Sequence, residues 1–167
     1  YIPCFRREAG SYGAHVKGLN RLHQFDKVEI VQVRSQEDSY EALHEMVNYV
    51  ETLIQNLGLP YRILRLCGGD TGFTSALTFD FEVFSAGQNR WLEVSSVSNF
   101  ETFQSNRLKL KIIDGQGSKM LAHTLNGSAL ALPRIFASLI EMNQKENQIL
   151  IPQVLQPYTG FSSIEMP

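Results

Sequence analysis

Thr78-Phe79-Asp80-Phe81-Glu82-Val83-Phe84, followed by Ser85-Ala86-Gly87-Gln88-Asn89 and then Arg90-Trp91-Leu92-Glu93-Val94-Ser95-Ser96, is the stretch that decides the architecture. The two outer runs read as strands, and the five residues between them have the length and composition of a hairpin loop. Just upstream, Arg62 to Leu66 reads as another strand. Further back, Phe25 to Val33 is a longer one, with Phe25, Lys27, Glu29, Val31 and Val33 on one side and Val28 and Ile30 on the other. Both of its sides are partly apolar, which puts it inside a sheet. Tyr1 to Phe5 opens the chain as a strand too.

Helices are fewer. Leu43, Met46, Val47, Val50, Leu53, Ile54 and Leu57 recur at helical spacing, with Ser35 placed to cap the helix and Gly58 and Pro60 to end it. A shorter helix is expected over Phe103 to Leu110, ahead of a turn at Asp114-Gly115-Gln116-Gly117 and a strand near Leu121 to Leu125. A last helix starts close to Pro133, because proline is tolerated in a first turn, and Ile135, Phe136, Leu139 and Ile140 would dock it. Strands in succession with little helix between them make this an α+β domain, a largely antiparallel sheet flanked by helices, without internal repeats.

At 167 residues, 43% hydrophobic and 19% charged, the chain has the make-up of one soluble domain with a sizeable core. Fifteen basic against seventeen acidic residues, a net charge of -2, give no broad positive field for a nucleic-acid backbone, so any such contact is local or made elsewhere. Cys4 and Cys67 sit in no zinc-type spacing and read as reduced, structural thiols. No apolar run reaches the roughly 18 residues of a membrane span, and no charged-then-apolar leader opens the chain, so a cytoplasmic location and no membrane partner are expected. The start at Tyr1, already strand-like and without a Met, is expected of a truncated chain.

Candidate chemistry is spread along the chain. Arg6-Arg7-Glu8 runs into the glycine-bearing stretch Gly10 to Gly18, where a guanidinium fork could grip phosphate while a loop closes; an ordinary surface ion pair is the alternative. Phe25 and Glu29 share a strand face about 13 Å apart by strand rise, a span suited to a ligand with a flat base at one end and an amine at the other. Core and rim positions are the plainer reading of that pair. Glu93 with Ser95 and Ser96 offers hard oxygen ligands of the kind Mg²⁺ accepts when shared with phosphates, or simply a solvated strand end. Arg134 opens the last helix, from which it could point to a polyphosphate. Neither GxxxxGK[ST] nor GxGxxG occurs, and Gly68-Gly69-Asp70-Thr71-Gly72 reads as a turn. His15, His23, His44 and His123 are scattered, with His44 assigned to a helix surface.

Taken in order, these signals resemble a known family. Phe5-Arg6-Arg7-Glu8-Ala9-Gly10-Ser11, then Gly18-Leu19 and His23 to Glu29, look like the second signature motif of class II aminoacyl-tRNA synthetases in its seryl form. Gly69-Asp70, Asp80, Glu82-Val83 and Glu93 to Phe100 resemble the central block of seryl-tRNA synthetases. His123-Thr124-Leu125-Asn126-Gly127-Ser128, running to Arg134, resembles their third motif. The resemblance covers essentially the whole chain, 1–167, and implies the C-terminal portion of that family's catalytic core, with the first motif and the N-terminal tRNA-binding arm absent.

It further implies an ATP-dependent ligase acting in translation, with ATP, Mg²⁺, serine and tRNA(Ser) as cofactors and partners, and a homodimer for the full-length family member. Position by position, it implies that Arg6 binds the α-phosphate, Glu8 the adenine side of ATP, and that Phe25 stacks on the base. Arg7, Val94 and Ser95 would join these ATP contacts, Arg134 would grip the γ-phosphate, and Glu93 and Ser96 would hold Mg²⁺ and phosphate oxygens. Glu29, Asn126 and Ser128 would bind serine. Val97 replaces a frequent family cysteine, and Ala129-Leu130-Ala131-Leu132-Pro133 stands where glycines are more usual. A non-catalytic synthetase-like scaffold, or a ligase charging a carrier protein, are the alternatives.

Overall fold

The computed structural model describes residues 1–7, 18–113 and 115–166. Its elements are β1 (Ile2–Phe5), β2 (Gln24–Arg34), α1 (Ser39–Asn56), β3 (Tyr61–Arg65), β4 (Leu77–Ser85), β5 (Arg90–Asn99) and α2 (Phe103–Leu108). There follow β6 (Lys111–Ile113), β7 (Lys119–Leu121), β8 (His123–Ala131), α3 (Leu132–Met142), β9 (Gln144–Lys145), β10 (Gln148–Leu150), α4 (Gln156–Thr159) and β11 (Ser163–Glu165). Six strands form one sheet in the order β1-β2-β8-β5-β4-β3, with every neighbouring pair antiparallel. The α+β reading holds, and β2 lies inside the sheet as its two-sided apolar pattern predicts.

One side of the sheet is a hydrophobic layer. Leu43, Met46, Val50 and Ile54 on α1 are fully buried against Phe81, Val83, Val94, Val97 and Leu125 from β4, β5 and β8. Ile135 and Leu139 bring α3 onto the same layer. The helix pattern of α1 thus predicts its core, and Gly58 ends it at a φ of +69° that suits a residue without Cβ.

Several boundaries differ from expectation. Ser35 does accept a bond from the Asp38 N–H at 3.1 Å, but it braces the preceding turn, and Asp38 occupies the capping position of α1. Leu53 and Phe136 are 41% and 54% exposed; they border an apolar groove with Leu132, Val154 and Tyr158 rather than the core. α2 stops at Leu108 because Lys109 turns left-handed at φ +56°. The turn expected at 114–117 joins a β6–β7 hairpin; Asp114 itself lies outside the described residues. β5 runs on to Asn99 and β8 to Ala131, well past their expected ends.

Register assigns the other side of the sheet. Cys4 lies opposite Phe25, Glu29 opposite Ser128, Val31 opposite Asn126, Asn126 opposite Ser98, Ser96 opposite Asp80, and Glu93 opposite Glu82. Since paired residues share a face, these side chains line the face turned away from α1. Two bulges interrupt the alternation. The register slips between Val28 and Glu29 and between Phe81 and Glu82, leaving Ala129 and Val94 as extra residues in β8 and β5. Both bulges adjoin candidate site residues.

Candidate active site

A cavity of about 150 Å³ opens on this polar face, lined by residues that include Arg6, Phe25, Lys27, Glu93, Val94, Ser95, Ser128, Ala131, Pro133 and Arg134. Seven residues expected at an ATP or serine site thus meet around one space: Arg6, Phe25, Glu93, Val94, Ser95, Ser128 and Arg134. The Arg6 guanidinium stands 5.1 Å from the centre of the Phe25 ring, a cation–π contact that holds the cation beside a flat apolar surface. Arg134 rises from the first turn of α3, where Pro133 fixes the backbone, and donates to the carbonyls of Asn20, at 3.1 Å, and Glu93.

Not every expected residue reaches this cavity. Arg7 is exposed and lies outside the lining, and Glu8 lies outside the described residues. Val94 and Ser95 are 1% and 2% exposed, and the Ser95 hydroxyl donates to the Ser128 carbonyl across two strands. Their side chains therefore hold the frame. Glu29 sits just beyond the lining, its Oε2 3.5 Å from the Ser128 hydroxyl and 2.7 Å from Lys27 Nζ. Ser96 and Asn126 share the face but not the cavity wall.

The electrostatics are uneven. Burial, reinforced by the Asp80 and Glu82 carboxylates, raises the Glu93 pKa, with Arg134 and Arg6 opposing. Glu93 as a residue is exposed, and the neighbouring Asp80 and Glu82 carboxylates push its pKa in the same upward direction as burial. Asp80 is raised too, chiefly by burial and then by Glu82 and Asp70, against a side-chain hydrogen bond with Ser96. Its Oδ1 is buried without a partner. Arg134 is lowered first by burial, then by Arg6, Arg21 and Arg90, with Glu93 pulling the other way. Carboxylates crowd Glu93 and Asp80, and arginines crowd Arg134, an arrangement that a ligand carrying both anionic and cationic groups would relieve.

Sequence reasoning missed the wall formed by Leu19, Asn20, Arg21 and Leu22, which fills the gap between the glycine-bearing stretch and β2. A short 3₁₀ turn at Gly18–Asn20, entered with Gly18 at φ +63°, brings Asn20 in 7% exposed. Lys27 was visible on the strand face but had no role. Cys4 and Cys67 are free thiols, half-buried and exposed respectively, so Cys67 has no buried structural place. Among the described residues no group of three or more His, Cys, Asp or Glu forms a metal cluster, and no helix is long and apolar enough to cross a membrane.

Residues 1–143 match the family model of the tRNA synthetase class II core domain (G, H, P, S and T). The chain belongs to the class II tRNA synthetase core family. Within that family it is similar to the serine-tRNA ligase of Salinibacter ruber, at 54% identity over 166 residues, covering 98% of this chain and 39% of that protein. The crystal structure of seryl-tRNA synthetase from Pyrococcus horikoshii complexed with ATP superposes with a TM-score of 0.93 at 38% identity, covering 99% of this chain and 37% of that one. Giardia lamblia prolyl-tRNA synthetase in complex with prolyl-adenylate shares the fold, with a TM-score of 0.78 at 15% identity over 93% of this chain and 30% of that one. The chain therefore spans well under half the length of these class II relatives.

Proposed function

We propose that the chain carries the serine-activating centre of a serine-tRNA ligase, spanning the second to the third class II motif of the catalytic domain. The observation that carries this is the convergence of Arg6, Phe25, Glu93, Ser128 and Arg134 on one cavity, with Glu29 at its rim. In this reading the adenine of ATP stacks on Phe25, Arg6 neutralises the α-phosphate, and Arg134 meets the γ-phosphate; Arg7 and Glu8 complete the ATP contacts, with the frame residues Val94 and Ser95 behind them. Glu29 takes the serine ammonium, and Ser128 with Asn126 offers hydrogen bonds to the hydroxyl, which an amino acid lacking that group leaves unpaired.

Glu93 and Ser96 fit Mg²⁺. They are hard oxygen donors beside a carboxylate whose Oδ1 is orphaned, and the crowding that raises Glu93 is what a cation would offset. When bound, Mg²⁺ would supply charge neutralisation for the polyphosphate. The rest is positioning by the protein: the serine carboxylate and the α-phosphorus are held in line, with cationic side chains aimed where negative charge develops. Transfer of the seryl group to tRNA(Ser) belongs to the same proposal and is supported by the serine-tRNA ligase relatives; homodimerisation and a cytoplasmic setting enter it only through the family resemblance.

The test is ATP/pyrophosphate exchange by the 167-residue chain, and by the Salinibacter ruber relative with these residues grafted in place of its matching segment. Exchange that requires serine, ignores threonine and is lost in Arg6→Ala is expected. Exchange indifferent to serine or to Arg6 in the graft overturns the reading.

A further inference from the structure

Phe25, Lys27 and Glu29 project from one face of β2 at successive steps of roughly 7 Å. Lys27 therefore stands midway between the proposed base platform and the proposed ammonium site. Its side chain is 24% exposed and lines the cavity with Arg6 and Ser128, and its Nζ lies 2.7 Å from Glu29 Oε2. Glu29 is 21% exposed at the side chain and is also approached by the Ser128 hydroxyl at 3.5 Å. A same-face pair two residues apart could serve only to stiffen the strand. Here, however, the pair occupies the site assigned to a substrate ammonium, and a second ammonium arriving at the same carboxylate repels the first.

Three other cations line the cavity: Arg134, held by two backbone carbonyls, Arg6, lying over the Phe25 ring, and Arg21, on the wall ahead of β2. The first two are already assigned to phosphates in the proposed reading, and all three are arginines. A lysine, by contrast, carries a point charge on a flexible four-carbon stem that can change partners without losing its charge.

Building on the proposed serine activation, we propose that Lys27 is a further catalytic residue whose ammonium exchanges partners: it is held by Glu29, and when the substrate's ammonium takes its place there, Nζ turns to the reacting carboxylate and α-phosphate. In the step it assists, a serine carboxylate oxygen forms a bond to the α-phosphorus. The bond from that phosphorus to the α,β-bridging oxygen breaks, and its electron pair leaves with pyrophosphate. Lys27 keeps all its protons and offsets charge on the non-bridging oxygens. The exchange also makes activation conditional, since the lysine reaches the reacting atoms only when an amine has displaced it.

The experiment is serine-dependent ATP/pyrophosphate exchange by the chain and by the Salinibacter ruber graft, each as parent, Lys27→Met and Lys27→Arg, with unfolding midpoints measured alongside. Lys27→Met is expected to lower kcat by roughly 100-fold while leaving the KM for serine unchanged or lower, because a competing cation has gone; Lys27→Arg should recover part of kcat. Lys27→Met with kcat within about threefold of the parent, or with KM raised and kcat intact, overturns the lysine's role and leaves serine activation standing. A graft without serine-dependent exchange in its parent form overturns both together.

Discussion

The two faces of the six-stranded sheet are cut from the same strands yet obey different rules. Along β4, Phe81 and Val83 point into the helix-covered layer and are fully buried, while Asp80 and Glu82, which alternate with them, point to the open face. The first pair is explained by transfer of apolar surface from water. The second is not: Asp80 has a buried oxygen without a partner, and Glu93, across from Glu82, is raised by burial and by its acidic neighbours. One face of the sheet accounts for stability, and the other carries local disfavour that only a ligand would repay.

The largest effect should come from the helix-covered face. Phe81→Ala removes a fully buried ring facing α1, and urea unfolding should show a loss of about 3–5 kcal/mol. Glu93→Ala, on the open face, should change stability by less than about 0.5 kcal/mol while removing exchange activity. Equal destabilisation by the two would break the contrast.

Gly127 sharpens it, because it lies on the helix side of β8 between two open-face residues, Asn126 and Ser128. A Cβ there would meet Val97 Cγ2 at 2.8 Å, Val97 Cα at 2.9 Å and the Ser96 carbonyl at 3.0 Å. Backbone atoms are among these neighbours, so β5 and β8 must separate. Gly127→Ala should cost about 1–3 kcal/mol, and it should depress exchange in chains that remain folded, because Ser96 and Ser128 move apart with their strands. Unchanged exchange in a folded variant would mean the site tolerates a shifted frame.

How far each face was legible follows from the same contrast. α1 announces itself because its buried residues recur every turn and Gly58 ends it; the β4–β5 hairpin announces itself through its loop. The far ends of β5 and β8 do not. Val97-Ser98-Asn99 and Asn126-Gly127-Ser128 are small or polar, and the bulges at Val94 and Ala129 reset the alternation on which a strand reading depends. β9, β10 and β11 are two or three residues long, too short to display any period. At the site, Arg6, Phe25, Glu93 and Arg134 were readable from their order along the chain. Asn20 and the partner of Lys27 were not, because the first depends on a turn closing over Arg134 and the second on a side chain choosing one neighbour over another.

The smallest effect tests the disfavour itself. Asp80 has its pKa raised mainly by burial, with Glu82 and Asp70 adding to the shift and Ser96 opposing it. In the unfolded chain the same carboxyl ionises at a lower pH, so between the two pKa values the folded state binds more protons and stability falls as pH rises. Above the folded pKa the penalty is fully present, and below the unfolded pKa it is absent. Asp80→Asn keeps the shape, removes the charge and supplies an amide that the nearby carboxylates can accept. The midpoint of thermal unfolding at pH 7 should therefore rise, by no more than the roughly 2–4 °C that 1 kcal/mol produces in a chain of this size, and the gain should vanish on acidification below the carboxylate range. A lower midpoint at pH 7 would mean that the Ser96 bond outweighs burial, and that this carboxylate contributes to the fold as well as facing the cavity's side of the sheet.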